Sequence, residues 1–413
     1  MRIVDNAKGR MVSALLVAGG VAVAGCSTTG SSSLAPPTRT EPAVRPILPS
    51  AMRSGVRGLQ VSGALPWAGL ISIGSLLFGT TQHGGSSDRG VVYKITTGGV
   101  EKPIHKFAGP PDGEYPTGPV FRVVACSCLY GTTQAGGTGN QGTIFAAKFS
   151  GGDNVLHNFV GSDGSDPEGR LIEVGPAVYG TTYGGGANGV GTVFKITISG
   201  SVLTTLHNFG ATHTDAGFAY AGLLHVGSYL YGTTVGGGTS SLGTVFRIKP
   251  NGTSYSVLHN FSGGADGAAP YGNLIVDGGV LYGTTSQGGA ANVGTVFKIT
   301  TGGVENVVHA FGVASDGTYP FGALIKVNGI YYGTTEAGGS SGFGTVFSVT
   351  SGGSESVLHS FTGAPGDGRL AASTLHEIGT TLYGTTVYGG ANDLGTVFKF
   401  TTPSGPEAPI YSF

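Results

Sequence analysis

Short apolar segments alternate with glycine-rich turns along most of the chain. In the stretch from Pro270 to Phe311 these segments are Leu-Ile-Val, Val-Leu-Tyr, Val-Phe-Lys-Ile and Val-Val-His-Ala-Phe. Each is a short strand in length and composition, and tight turns such as Asp277-Gly278-Gly279 join neighbours as β-hairpins require. The apolar period of a helix is not visible in this stretch. The pattern therefore predicts four β-strands.

This stretch is one copy of a repeat. A Tyr/Phe-Gly-Thr-Thr core recurs seven times at intervals of 49 to 52 residues, and its glycines are Gly79, Gly131, Gly180, Gly232, Gly283, Gly333 and Gly384. A period of this size is typical of repeat folds, in which each unit packs on its neighbours. The copies account for nearly everything beyond the N-terminal region.

The residues beside the repeated glycine distinguish between repeat folds. Leu281 and Tyr282, like their counterparts in the other copies, are consecutive and apolar. Consecutive residues of a strand point to opposite faces, so both faces of this strand must be buried. Four-stranded sheets stacked around an axis satisfy this condition, and we predict an all-β, seven-bladed β-propeller of about 51 residues per blade. A parallel β-helix, the main alternative, has shorter coils and does not need two hairpin turns per repeat.

Loop lengths predict the order of the strands. The longest connection runs from a fourth strand to the next first strand, as between Ser262 and Asn273. This length suits the step from the outer edge of one blade to the inner edge of the next. The long interblade loops and the loops after Gly-Thr-Thr should then share one face of the disc. No strand exchange that closes the ring is evident, although Leu59-Gln60-Val61 offers an additional edge.

The N-terminal residues have the features of a lipoprotein signal. Arg2, Lys8 and Arg10 precede an apolar run that ends in Val-Ala-Gly-Cys at Cys26. This ending resembles a bacterial lipobox, which implies cleavage before Cys26 and lipidation of that residue; an ordinary signal peptide with a chance Cys is the alternative. We expect residues 1–25 to be the signal, 26–57 a Ser/Thr/Pro-rich tether and 58–413 the propeller. The residue after Cys26 is Ser27 rather than Asp, which is typical of outer-membrane sorting.

Composition limits the partners. Charged residues make up 10% of the chain and the net charge is −1, so no basic surface is available for nucleic acid. We expect an exported monomer that meets the membrane through lipidated Cys26. We expect no cofactor, with calcium as the alternative.

Two polar sets recur with the repeat. The first is a histidine on each predicted outermost strand, where no two imidazoles should reach one metal ion; we interpret these residues as half-buried and bonded to a neighbouring blade. Its members are His105, His157, His207, His259, His309 and His359, with Tyr411 in the seventh place. The second set fits Asp turns, in which the carboxylate caps its own backbone. Its members are Asp112, Asp163, Asp215, Asp266, Asp316 and Asp367, of which Asp112, Asp163, Asp266 and Asp316 are candidates for a calcium site.

Aromatic residues cluster beside these aspartates. If the loops share one face, the aromatic rings line its rim, where they can hold a sugar or a peptide; packing between blades is the alternative. The candidates are Trp67, Tyr115, Phe218, Tyr220, Tyr271, Tyr319 and Phe321.

One position of the innermost strand varies more than its neighbours. It should lie near the central channel, where Glu can act as a general base and Arg or Lys can hold an anion. Mutually paired charges that line a wet pore are the alternative. The charged or ionisable residues at this position are Arg122, Glu173, His225, Lys326 and Glu377, with Ser72 and Val276 in the remaining copies.

Cys126 and Cys128 are two residues apart on one predicted strand. Side chains at this spacing are parallel and too far apart for good disulfide geometry. We therefore interpret Cys128 as a small core residue rather than as half of a disulfide.

The repeated pattern LYGTTxxGGxxxxGTVFKIT, followed by VLHxF and DGxxPxG, resembles the GloVer (Gloeobacter–Verrucomicrobia) tandem repeat. The resemblance covers about residues 60–413, and the first copy departs most, with Phe78 in place of Tyr. Members of this choice-of-anchor family attach to the cell envelope in different ways. The resemblance implies an extracytoplasmic location and assigns no catalytic residues.

Two functions follow from these features. The near-perfect periodicity of the polar loops favours a non-catalytic binding or scaffold module that presents one loop face to a glycan or a protein. The irregular ring on the innermost strands favours an extracytoplasmic hydrolase or lyase with its site at the central channel. We favour the binding module.

Overall fold

Seven four-stranded antiparallel sheets form the computed structural model, which describes residues 62–200, 202–312, 315–403 and 405–413. The sheets are the blades of a β-propeller, as predicted. The signal peptide, Cys26, the tether and Leu59-Gln60-Val61 lie outside the described residues. Within the described ranges the helical content is a single 3₁₀ turn, Gly264–Asp266, and no helix there is long and apolar enough to cross a membrane.

Each blade consists of four consecutive strands. The first strands of blades 6, 7 and 1 lie against one another, which places this strand at the axis. The first strands are Ile71–Ile73, Phe121–Val123, Ile172–Val174, Leu224–Val226, Ile275–Asp277, Ile325–Val327 and His376–Ile378. The second strands are Leu76–Thr81, Cys128–Thr133, Ala177–Thr182, Tyr229–Thr234, Val280–Thr285, Ile330–Thr335 and Thr381–Thr386. The third strands are Val91–Thr96, Thr143–Lys148, Thr192–Thr197, Thr244–Ile248, Thr295–Thr300, Thr345–Val349 and Thr396–Thr401. The fourth strands are Glu101–Lys106, Asp153–Asn158, Leu203–Asn208, Ser256–Asn260, Glu305–Ala310, Glu355–Ser360 and Glu407–Ser412.

The interblade loops pair with the loops that follow Gly-Thr-Thr, so both kinds of loop lie on one face of the disc. Four pairs are two-stranded ribbons: Gly113–Glu114 with Ala135–Gly136, Ala216–Gly217 with Gly236–Gly237, Gly317–Thr318 with Ala337–Gly338, and Gly368–Arg369 with Tyr388–Gly389. Three are single bridges, Ala64 with His83, Ser165 with Gly184 and Ala268 with Gln287. The predicted sharing of one face is confirmed.

The core lies between blades rather than inside them. Ile144 and Phe159 of blade 2 pack with Val178 and Phe194 of blade 3, and all four side chains are fully buried. Burial of an aromatic or branched side chain of this size stabilises the fold by roughly 1.5–3 kcal/mol. Every blade therefore depends on its neighbours for stability.

The repeated glycine of the second strand is required by a ring on the third strand. Gly131 pairs with Phe145, and a Cβ atom at position 131 would lie 2.5 Å from Cζ of that ring. The two threonines that follow the repeated glycine form side-chain hydrogen bonds with different partners. Thr284 Oγ1 donates to the carbonyl of Gly322 in the next interblade loop at 3.1 Å, whereas Thr285 Oγ1 lies 2.8 Å from Thr295 Oγ1 in its own blade. The Gly-Thr-Thr segment therefore connects two strands within its own blade and also connects that blade to the next one.

The ring closes with the same contacts that join the other blades. Thr385 Oγ1 of blade 7 donates to the carbonyl of Ala68 at 3.0 Å, and the Leu65 amide donates to the carbonyl of Leu394 at 2.9 Å. Residues 62–70 therefore serve as the interblade loop between blade 7 and blade 1. Among the residues that the structure describes, the ring closes without an exchanged strand.

The prediction for the cysteines was wrong. Cys126 lies in the turn before the strand Cys128–Thr133 rather than on it, and Ser127 between them has a positive φ of 49°. This bend brings the two Cα atoms to 5.2 Å, and the sulfurs are joined in a disulfide.

Candidate functional site

Each interblade loop brings one residue to the propeller axis on the loop face. This residue follows the repeated Pro or Ala of the loop, and the seven are Trp67, Thr117, Glu168, Tyr220, Tyr271, Phe321 and Ala372. They surround a depression that we call the axial mouth. Because the seven copies contribute six different residue types, the mouth departs strongly from the symmetry of the repeat.

The loops that carry these residues are held on both sides. The Tyr319 amide donates to the carbonyl of Val293 in the preceding blade at 2.7 Å, and its carbonyl accepts from the Glu336 amide of its own blade at 3.1 Å. These bonds fix Tyr319 at φ +58°, a left-handed conformation that its counterparts in the other loops share. The residue after the next Pro is thereby directed toward the axis.

Aromatic rings form one arc of the mouth. The rings of Tyr220 and Tyr271 meet edge to face with centroids 5.1 Å apart, and those of Tyr271 and Phe321 are 4.4 Å apart. Tyr271 and Phe321 are buried in the core, whereas Tyr220 and Trp67 are half-buried. Trp67 Nε1 donates to Oε1 of Gln82 at 3.2 Å, which fixes the indole ring. Trp67 and Tyr220 therefore offer apolar faces at the mouth.

Arg170 and Glu168 add charge on the loop next to that of Tyr220. Glu168 is buried and its Oε1 accepts from Nε2 of Gln134 at 3.2 Å. The Arg170 side chain is surrounded by protein but remains exposed to the solvent of the channel. Partial desolvation by the surrounding protein lowers the pKa of its guanidinium, which stays protonated. Among the described residues, no carboxylate forms an ion pair with Arg170. Its charge is therefore available to a ligand.

Below the mouth the channel widens into a chamber of about 270 Å³. Arg170 lines both spaces, and Arg122, Ser72 and His376 line the chamber. Nε2 of His376 lies 2.8 Å from Oγ of Ser72, and burial together with the charge of Arg170 lowers the pKa of His376. The imidazole is therefore neutral at pH 7, and two guanidinium groups dominate the charge of the chamber. This arrangement suits an anion.

The variable position of the first strand is only partly a channel site. Arg122 and Ser72 line the chamber. Lys326 instead pairs with Asp277 of the neighbouring blade at 2.6 Å. In the part of the chain that the structure describes, no ion pair joins two members of the predicted ring, which also includes Glu173, His225 and Glu377.

The aromatic candidates fall into two groups. Trp67, Tyr220, Tyr271 and Phe321 line the mouth. Tyr115 and Tyr319, like Phe218, precede the Pro or Ala and occupy the left-handed position of the loop. The hydroxyl of Tyr115 accepts from Nη1 of Arg89 at 3.0 Å.

Sequence reasoning missed Arg170 and His376. Arg170 stands three residues after Pro167, where the other copies have Gly69, Pro119, Gly222, Asn273, Ala323 and Thr374. An aligned comparison of the seven copies singles out this one charged residue. His376 occupies a position that is Ile or Leu in most copies, so its chemistry was masked by the apolar pattern.

The repeated histidines and aspartates form pairs at the outer edge of the disc, which we call the rim. The sequence analysis had treated them as two separate sets. In six blades the fourth strand has a β-bulge just before its His, and this extra residue turns the imidazole toward the Asp of the following loop. The Nε2–carboxylate distances are 3.1 Å for His105–Asp112, 2.8 Å for His157–Asp163, 3.4 Å for His207–Asp215, 2.9 Å for His259–Asp266, 3.4 Å for His309–Asp316 and 3.2 Å for His359–Asp367. The aspartates also accept backbone amides, as Asp112 Oδ1 does from Gly113 at 2.7 Å.

Comparison with known families identifies the repeat. The profile of the Gloeobacter/Verrucomicrobia repeat matches residues 56–183 and 154–347. The chain belongs to this repeat family. The match agrees with the resemblance carried by the Gly-Thr-Thr motif, and the propeller is the fold of this member of the family. A comparison with curated protein sequences found no matching relative.

Solved structures share the fold at low identity. A putative 6-phosphogluconolactonase from Bacteroides fragilis is 18% identical with a TM-score of 0.52, over 83% of this chain and 94% of that chain. A putative 6-phosphogluconolactonase from Bacteroides uniformis is 14% identical with a TM-score of 0.52, over 83% and 95%. A Mycobacterium tuberculosis puromycin-hydrolyzing peptidase is 10% identical with a TM-score of 0.52, and this chain covers 53% of it, about half its length. These likenesses show the fold alone.

Proposed function

We propose that this propeller is a non-catalytic binding module that holds an acidic glycan in the axial mouth. The observation that carries the proposal is the placement of Arg170 between the aromatic arc and the chamber, where no carboxylate of the described residues pairs with it. An aromatic face stacks on the apolar face of a sugar ring, and a guanidinium binds a carboxylate in a bidentate manner. Arg170 lies on the loop next to that of Tyr220, and both residues line one depression, so a single uronic acid can contact both.

A second part of the proposal concerns location. We infer an exported protein anchored to the outer membrane through Cys26. The disulfide between Cys126 and Cys128 supports this location, because disulfides persist in oxidising compartments and are rare in the cytosol. Envelope and extracellular glycans rich in uronic acids would then be accessible to the mouth.

Calorimetric titration with oligogalacturonate tests the binding site, with the methyl-esterified oligomer as the neutral control. We expect Arg170→Gln and Trp67→Ala each to weaken oligogalacturonate binding about tenfold or more, and Arg170→Gln to leave binding of the ester unchanged. Lys148→Gln, which removes an exposed positive charge far from the axis, is the matched control. Equal affinity for the acid and the ester, or no effect of Arg170→Gln, would count against the proposal.

A second candidate function rests on one contact in the chamber. Ser72 Oγ and neutral His376 are within hydrogen-bond distance, which is the relation of a nucleophile to its general base. Arg122 and Arg170 can stabilise a developing anion beside them. This pair supports a hydrolase at the channel, the alternative to a binding module.

An ester or lactone hydrolysis assay separates the two candidates. If the hydrolase reading holds, Ser72→Ala abolishes turnover while oligogalacturonate affinity is retained. If the chain is a binding module, the wild type shows no turnover above that of Ser72→Ala with p-nitrophenyl esters or with sugar lactones.

A further inference from the structure

The outer edge of the disc carries a second repeated site. At a blade boundary three residues meet: the His of one fourth strand, the Asp of the next loop, and the first residue of the following fourth strand. At four boundaries the third residue is acidic, and one donor atom of each residue lies within 4.8 Å of the others. These clusters are His105-Asp112-Asp153, His259-Asp266-Glu305, His309-Asp316-Glu355 and His359-Asp367-Glu407.

The cluster at His359 shows the geometry most clearly. Nε2 of His359 lies 3.2 Å from Oδ2 of Asp367 and 3.7 Å from Oε2 of Glu407. A tetrahedral Zn²⁺ ion about 2.0–2.1 Å from each ligand places its ligand atoms roughly 3.3 Å apart. Two of the three separations between these donor atoms of two blades are therefore close to the required spacing, and the third is within 4.8 Å.

A buried carboxylate oxygen indicates that the cluster is incomplete. The side chain of Glu407 is 3% exposed, and its Oε1 has no hydrogen-bond partner. Oε1 of Glu305 and Oε1 of Glu355 are likewise buried without a partner in the two equivalent clusters. A buried polar atom without a partner is costly, and beside Glu305, Glu355 and Glu407 the neighbouring His and Asp supply the two further ligands that a bound ion would need.

The fourth cluster differs in the direction of its third residue. Asp153 is one methylene shorter than Glu and meets Nδ1 of His105 at 3.2 Å, whereas Asp112 meets Nε2 of the same ring. The two carboxylates thus lie on opposite sides of the imidazole. We leave this cluster out of the proposed set because its donors do not converge on one nitrogen.

Two of the remaining boundaries have no carboxylate at the third position. The hydroxyl of Tyr255 donates to Oδ1 of Asp215 at 2.5 Å, and its ring stacks on His207 with centroids 3.6 Å apart. Leu203 occupies the third position beside His157 and Asp163. At the boundary of blades 7 and 1, Glu101 keeps the third position but Ser62 and Tyr411 replace the Asp and the His, and Oε1 of Glu101 has no hydrogen-bond partner there either.

We propose that the three clusters His259-Asp266-Glu305, His309-Asp316-Glu355 and His359-Asp367-Glu407 each bind a divalent transition-metal ion of the Zn²⁺ class. One nitrogen and two oxygen ligands suit such an ion better than Ca²⁺, which takes oxygen ligands only. Each ion would join two blades at the rim. The calcium site considered from the aspartates alone is replaced by a mixed site.

Metal counting tests the proposal. The untagged full chain is stripped with chelator, dialysed against Zn²⁺ and analysed by atomic absorption, and we expect three ions per chain. Excess Ca²⁺ should not displace them. Glu407→Gln should lower the count to two, and the triple variant Glu305→Gln, Glu355→Gln, Glu407→Gln should abolish tight binding.

A gain of binding provides the converse test. His157 and Asp163 are already 2.8 Å apart, so Leu203→Glu should complete a further cluster and raise the count by one ion. Glu173→Gln, which removes a carboxylate from a first strand, should leave the count at three. Near-ultraviolet circular dichroism reports whether each variant is folded. A wild type that binds no Zn²⁺, or a folded triple variant that keeps the wild-type count, overturns the proposal.

Discussion

At the scale of single residues, the stability of the rim depends on carboxylates that accept hydrogen bonds from several groups. Asp215 is 6% exposed and accepts bonds from the amides of Ala211 and Ala216 at 3.0 and 2.8 Å and from the Tyr255 hydroxyl. Burial alone would raise the pKa of Asp215, but the bonds from His207, Tyr255 and Ala211 outweigh it and lower the pKa to about 2. The ionised form is therefore the stable one in the folded chain.

This shift predicts a specific acid dependence. Because the pKa of Asp215 is lower in the folded than in the unfolded chain, its stabilising contribution is complete above about pH 4 and is lost as the pH falls toward 2. We expect Asp215→Asn to cost about 2 kcal/mol at pH 7 and to make stability less dependent on pH within that window. Urea unfolding from pH 2 to pH 7 measures both effects. An unchanged acid slope in the variant would contradict the assignment.

At the scale of the strand, Gly-Thr-Thr is a packing element rather than a binding motif. Gly131 leaves space for the Phe145 ring of the neighbouring strand, and Thr284 reaches the next blade. The sequence predicted this double burial because two consecutive apolar residues precede each glycine. It did not predict the Phe ring as the cause, because the pairing register that places Phe145 opposite Gly131 is set by tertiary structure.

We expect Gly131→Ala to destabilise the propeller by about 1–3 kcal/mol, since the new Cβ must displace a buried ring. Gly98→Ala is the matched control, because its nearest neighbour, Thr96 Oγ1, is 3.8 Å away and its φ is not positive. Phe145→Leu in the Gly131→Ala background should recover part of the loss. Thermal unfolding distinguishes these cases, and equal midpoints for the two glycine variants would refute the packing account.

The same scale shows why the sites were harder to predict than the fold. Each member of the His and Asp sets recurs once per blade, so the sequence identified both sets but not that they meet. Their contact depends on a β-bulge before His359 and its equivalents, which the strand pattern does not reveal. Arg170 was missed for the opposite reason, since it occurs in one copy only. The aromatic residues after Pro were predicted because position in the repeat and chemistry coincide.

At the scale of the whole molecule, closure depends on residues 62–70. Ala64 and Leu65 are buried against blade 7, in the cluster that includes Val387 and Tyr388. This segment replaces the missing interblade loop, so the first and last blades share the contacts of any other neighbouring pair. Stability of the ring is therefore cooperative around its whole circumference.

Shortening the chain tests this role. A chain that begins at Leu70 loses the bridge between Ala64 and His83 and exposes the apolar surface of blade 7. We expect a lower unfolding midpoint, less cooperative unfolding and binding of a hydrophobic dye by the native state. A chain that begins at Val61 is the control. Identical unfolding of the two chains would show that the segment does not close the ring.

The proposed function also belongs to this scale, because its site exists only where all seven blades meet. A crystal structure of the chain with oligogalacturonate tests it most directly. The account predicts a sugar ring over Trp67 or Tyr220 in the axial mouth, with its carboxylate on the guanidinium of Arg170. An oligomer bound on the tight-turn face or at the rim, with Arg170 free of it, would contradict the account.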